Sequence, residues 1–123
     1  MDTTLLLILE PRLRQLYHEL LICENIEIVP LSKVENAIVF QSFEKIDSIV
    51  IYPDDIDSKV MNTFLHLEKK MEKFSKTRLI LLTSDPEQYA GSLSSKDVVI
   101  NITRLDPDEI VKQIKQIHRI LIE

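Results

Sequence analysis

Five short apolar runs alternate with longer stretches in which apolar residues recur every three or four positions, a pattern that predicts five strands, each followed by a helix. The first run, Thr3 to Leu9, closes at Glu10-Pro11, which sets proline in the first turn of a helix. From Arg12 to about Cys23 the residues Leu13, Leu16, Tyr17, Leu20 and Leu21 form one buried stripe, leaving Arg12, Arg14, Gln15 and Glu19 outside. Ile26 to Pro30 reads as a second, shorter strand. Ser32 and Glu35 then make a capping box for a helix running through Ala37 and Ile38 toward Phe40. Asp47 to Tyr52 is rich in β-branched side chains without strict polar alternation, as in a strand covered on both faces, and Pro53 stops it.

Asp57 or Ser58 caps the next helix, whose apolar stripe reads Val60, Phe64, Leu67, Met71 and Phe74. Glu68, Lys69, Lys70, Glu72, Lys73 and Lys76 mix both signs and read as its solvated outer face. Arg78 to Thr83 is another buried-strand run, and Asp85-Pro86-Glu87-Gln88 opens a short helix ending near Gly91. Asp97 to Ile102 is the fifth strand. Asp106-Pro107-Asp108-Glu109 then combines a carboxylate cap, a following proline and a Glu placed to reach back, and launches the last helix. That helix turns Ile110, Ile114, Ile117 and Leu121 inward and Lys112, Lys115 and Arg119 outward. Five such units require right-handed crossovers and a mainly parallel sheet with helices on both faces, a single doubly wound α/β domain over residues 1–123.

Composition narrows the function. A chain of 123 residues with 45% hydrophobic content fills one core, and a net charge of −5 gives no general attraction to nucleic acid phosphates. Cys23 is the only cysteine, a core residue by its type, so there is no internal disulfide or thiolate cluster and a reducing, cytoplasmic setting is compatible. The run Leu5 to Leu9 lacks a basic leader and is far too short to cross a membrane. With Gly91 as the single glycine, neither a P-loop nor a GxGxxG turn can be built, and no cofactor is expected. His18, His66 and His118 fall on three different predicted helices without metal-binding spacing, and Ser84 lacks the elbow of a hydrolase nucleophile. Asp54, Asp55 and Asp57 are the one dense carboxylate cluster, at the end of the central strand where ligands of open parallel sheets gather, yet Asp and Ser before a helix also serve simply as turn and cap residues.

Order and spacing together resemble the receiver domain of bacterial two-component response regulators, over essentially the whole chain. The features that carry the likeness are the Glu10-Pro11-Arg12 turn, the Asp47 to Tyr52 strand with its proline, Thr83 ending the fourth strand, and Leu105-Asp106-Pro107-Asp108-Glu109 before the last helix. The resemblance implies strand order 2-1-3-4-5. It also implies a phosphorylatable aspartate after the third strand, an acidic Mg²⁺-binding pair after the first, a hydroxyl on the fourth and a Lys-Pro pair on the fifth. In this chain those positions fall on Tyr52, on Ile8 and Leu9 (or Leu9 and Glu10 if the register moves by one), on Thr83, and on Thr103-Arg104, while the aromatic switch position falls on Ile100.

A phenol cannot form the acyl phosphate that a carboxylate forms, so the expectation is a degenerate receiver, or pseudo-receiver, that is not an enzyme and holds no metal. Glu10, Asp54, Thr83 and Thr103 would be the remnant of its pocket. It would act by phosphorylation-independent contact with a protein partner or with itself, not with nucleic acid, membrane or a small molecule. The receiver's usual output surface maps to Gln88, Tyr89, Arg104, Lys112, Lys115 and Arg119, with Tyr89 and Arg104 the strongest candidates. Two alternatives stand beside this: an atypical acceptor using Asp54 or Asp55 with Glu10, and a dimerisation or localisation module of a larger regulator.

Overall fold

A computed structural model describes residues 2–22 and 26–122, with side chains described as far as His118. Cys23 and the side chains of Arg119 and Leu121 therefore lie outside the described residues. Five parallel strands, β1 (Asp2–Leu7), β2 (Ile26–Leu31), β3 (Ser48–Ile51), β4 (Arg78–Thr83) and β5 (Val98–Asn101), form one sheet in the order β2-β1-β3-β4-β5. The intervening helices are α1 (Pro11–Leu21), α2 (Val34–Phe43), α3 (Ser58–Lys70) and α4 (Pro107–Ile122), with 3-10 turns at Pro53–Asp55 and Pro86–Ser92. Among the described residues no helix is long and apolar enough to cross a membrane.

Side chains along a strand point alternately to opposite faces, and the apolar runs supply a core to each. Leu5, Leu7, Ile49, Ile51, Leu79 and Leu81 pack under α2 and α3, against Ala37, Met61, Phe64 and Leu65. Leu6, Ile8, Val50, Ile80 and Leu82 pack under α1 and α4, against Tyr17, Leu21, Ile110 and Ile114. The parity continues past the strand ends and decides where site residues go.

Several helix details differ from the sequence-based expectation. The α3 stripe is Met61, Phe64, Leu65 and Glu68, whereas Val60 and Met71 are exposed and the helix stops at Lys70, leaving buried Phe74 to the following turn. Glu68, expected on the solvated face, is 5% exposed because Gln41 of α2 donates a hydrogen bond to it. The Ser32–Glu35 capping box does not form: α2 begins one residue later, with Lys33 at the cap position and no side-chain bond there. On α1, Leu16 is exposed while Tyr17 and Leu21 are buried. Asp57 and Asp106 do cap, accepting from Lys59 N at 2.9 Å and Glu109 N at 3.0 Å.

Candidate functional site

The C-terminal edge of the sheet gathers the turns after β1, β3, β4 and β5. After β1, Ile8 is fully buried in the α1/α4 core, and Glu10 turns back onto its own helix, accepting from Arg12 N at 3.1 Å and Leu13 N at 2.6 Å. Those two N–H groups hold the Glu10 carboxyl below the usual carboxylate range. Arg14, one turn into α1, sends Nη1 to the carbonyls of Ile8 at 2.8 Å and Leu9 at 3.2 Å, so a guanidinium closes the end of β1.

After β3, the even-numbered Tyr52 follows Val50 to the α1/α4 side and packs half-buried against that core. Burial, reinforced by Asp54 and Asp55, pushes its phenol above the ordinary range, and Tyr17, in the same core, is pushed up to about 12 by burial and by Tyr52. Pro53 opens the 3-10 turn that swings Asp54 over the end of β4. There Thr83 Oγ1 donates to Asp54 Oδ1 at 2.7 Å, while Ser84 N and Ser84 Oγ donate to Oδ2 at 3.1 and 2.7 Å. Burial opposes the charge, but these three donors outweigh it and hold the Asp54 carboxyl below its usual range. Thr83 is fully buried and its Oγ1 also accepts from Asp85 N at 3.1 Å, so the cluster locks the β3 and β4 turns together.

Of the remnant-pocket residues, the structure brings together Asp54 and Thr83. Glu10 serves α1, and Thr103 donates through N and Oγ1 to Asn101 Oδ1 at 3.0 and 2.6 Å, within its own turn. Among the described residues no three His, Cys, Asp or Glu side chains converge as a metal-binding group. Sequence reasoning missed Arg14, placed on the outside of α1, and treated Ser84 only as a failed nucleophile. The spacing of Asp54 to Ser84 across two strands leaves no local signal for their bond.

The expected output face is altered at one position. Tyr89 is 4% exposed, not a surface residue: the segment after β4 coils as a 3-10 helix that turns the ring onto the α2/α3 core. Gln88, Arg104 and Lys112 are exposed and Lys115 half-buried, while the Arg119 side chain lies outside the described residues.

No family model matches the sequence, and no curated protein matches it. Solved structures do. The chemotaxis response regulator CheY4 of Vibrio cholerae superposes with a TM-score of 0.73 at 13% identity, covering 95% of this chain and 98% of that one. The receiver domain of a Francisella response regulator gives a TM-score of 0.71 at 13% identity, covering 97% and 98%. Thermotoga maritima TrrA, solved in complex with Mg²⁺ and BeF, gives 0.68 at 22%, covering 95% and 99%. These likenesses establish the receiver fold, with its sheet order.

Proposed function

We propose that this chain is a receiver-like regulatory domain whose phosphoryl-transfer apparatus is lost, and that it acts in the cytoplasm by phosphorylation-independent contact with another protein. One observation carries the reading: the residue directly after β3 is Tyr52, whose ring joins the α1/α4 core, while Asp54, two residues on, already accepts three hydrogen bonds from Thr83 and Ser84. The residues present fit Mg²⁺ poorly. A small hard cation wants several oxygen ligands in near-octahedral array. Here Ile8 and Leu9 offer aliphatic side chains, their carbonyls are held by the Arg14 guanidinium, and Glu10 is engaged as a helix cap. No catalytic step is therefore assigned to the domain.

With the top of the sheet closed, the working part is a surface. Arg104 after β5 and Lys112 and Lys115 on α4 form its cationic portion, suited to an acidic patch on a partner or on a second copy. Reversing charge with Arg104→Glu and Lys112→Glu should weaken that association at least about tenfold, the loss of a single hot-spot contact. Affinity capture from source cells without a phosphodonor, alongside sedimentation of both proteins at several concentrations, measures it. Identical captured proteins and identical self-association for wild type and variant would reject the surface.

A second reading has one observation in its favour. Asp54 sits 2.7 Å from the Thr83 hydroxyl, so a displaced carboxylate does lie beside the residue corresponding to the receiver's fourth-strand hydroxyl. An acceptor at Asp54 would have to break its bonds to Ser84 to reach a phosphodonor.

A further inference from the structure

We propose that Glu68 is carried as a neutral carboxylic acid that donates its proton to the side-chain oxygen of Gln41, closing an acid–amide pair that latches α3 to α2. Gln41 Nε2 donates to Glu68 Oε1 at 2.8 Å, and the two residues are 3% and 5% exposed. Their remaining oxygens, Gln41 Oε1 and Glu68 Oε2, are both buried and both without a partner. Were Glu68 ionised, these would be two acceptors facing no donor in the interior, an arrangement with a large desolvation cost. One proton on Oε2 satisfies both. The amide is oriented independently. Thr77 Oγ1 donates to the Ile46 carbonyl at 2.9 Å, so it faces Gln41 as an acceptor and takes the second Nε2 hydrogen at 3.4 Å.

The charged groups around the acid do not force it to ionise. From the segment before β5, Lys96 favours the charged form and Asp97 opposes it, and the two are paired with each other at 3.2 Å. Lys69, on the same helix as Glu68, lines the shared crevice. From α2 and the segment before β4 the chain turns the uncharged Gln41 and Thr77 to the carboxyl, and the pocket on the far side of that pair is lined by Glu44, Lys45, Asp47, Lys73 and Lys76, of both signs. Burial dominates and pushes the Glu68 carboxyl up to about 7. The latch is therefore closed in mildly acidic solution and opens as pH rises through neutrality, at the α2 end where Phe43 is 85% exposed. This device does not depend on the reading of the sheet's upper edge.

Glu68→Gln supplies an N–H in place of the acid's O–H and preserves the pattern at every pH, so it is the informative variant. Two measurements on the intact chain decide the matter. The Glu68 side-chain carboxyl carbon, followed by NMR, should titrate near neutrality. Chemical denaturation between pH 4.5 and 8 should show the unfolding constant of wild type rising relative to Glu68→Gln by up to about tenfold per pH unit until pH reaches about 7. A carboxyl carbon titrating near 4.5, or a variant weakened equally at every pH, would overturn the latch. Should the variant fail to fold, the wild-type titration alone decides between the two outcomes.

Discussion

Met61→Ala should destabilise the domain by about 2–5 kcal/mol, while Val60→Ala one residue earlier should change stability by less than about 1 kcal/mol. Met61 is fully buried beneath α3, among Phe64, Leu65 and the strand residues Ile49 and Ile51, so truncation removes apolar contact and leaves a cavity that the rigid sheet cannot close. Val60 is 44% exposed and loses little on truncation. The pair separates the two registers of α3 directly: a helix facing the core through Val60 and Leu67 would give the opposite ranking. Urea denaturation of the two variants measures the difference, read from midpoints at constant slope.

Replacing His118 with Gln should leave a domain that loses stability as pH rises from about 4.5 to about 7, whereas Glu68→Gln should leave one that gains stability as pH rises toward 6.5. His118 is 2% exposed, its Nε2 lies 3.4 Å from Thr4 Oγ1 and 3.5 Å from Ser48 Oγ, and its Nδ1 is buried without a partner. Burial pulls its affinity for a proton below that of a free histidine, against the attraction of Asp2 and Asp47 and with the help of Arg78. The unfolded chain therefore takes up a proton below pH 6.5 that the folded chain refuses, and stability falls as pH drops through that value. Glu68 works with the opposite sign: the unfolded carboxyl releases its proton near 4.5 and the folded one near 7, so stability falls as pH rises across the interval. Each slope reaches at most about 1.4 kcal/mol per pH unit. Where they overlap they cancel, so the wild-type profile should be flatter than that of either variant. Denaturation series at closely spaced pH values test this, and parallel profiles for all three proteins would contradict it.

The same Glu68 explains much of what the sequence hid. Met61, Phe64, Leu65 and Glu68 stand at i, i+3, i+4 and i+7, the spacing of a helix face, but a charged-type residue in the fourth place makes that stripe look broken and favours the apolar series from Val60. The hydrogen bond that partners this acid inside comes from Gln41, 27 residues away. The strands were legible because parity and apolarity are local, and the caps at Asp57 and Asp106 because they involve the next few residues alone. The Ser32 cap failed for a reason of one residue's register. Strand order came from resemblance rather than periodicity. At the candidate site, the tyrosine that follows the central strand could be read from position, but the Asp54–Thr83–Ser84 cluster and the Arg14 clamp could not, since both depend on how turns from separate strands meet. Tyr89 was misplaced because a 3-10 helix, narrower than an α-helix, turns its residues to different faces.

Incubating the intact chain with an acyl phosphate donor and Mg²⁺, then recording intact mass and amide shifts, tests the loss of phosphoryl transfer most directly. On the proposed reading the mass stays unchanged and the amides of Glu10, Tyr52, Asp54 and Ser84 do not move. A phosphate adduct on Asp54 or Asp55, with shifts propagating through Thr83, would contradict that loss.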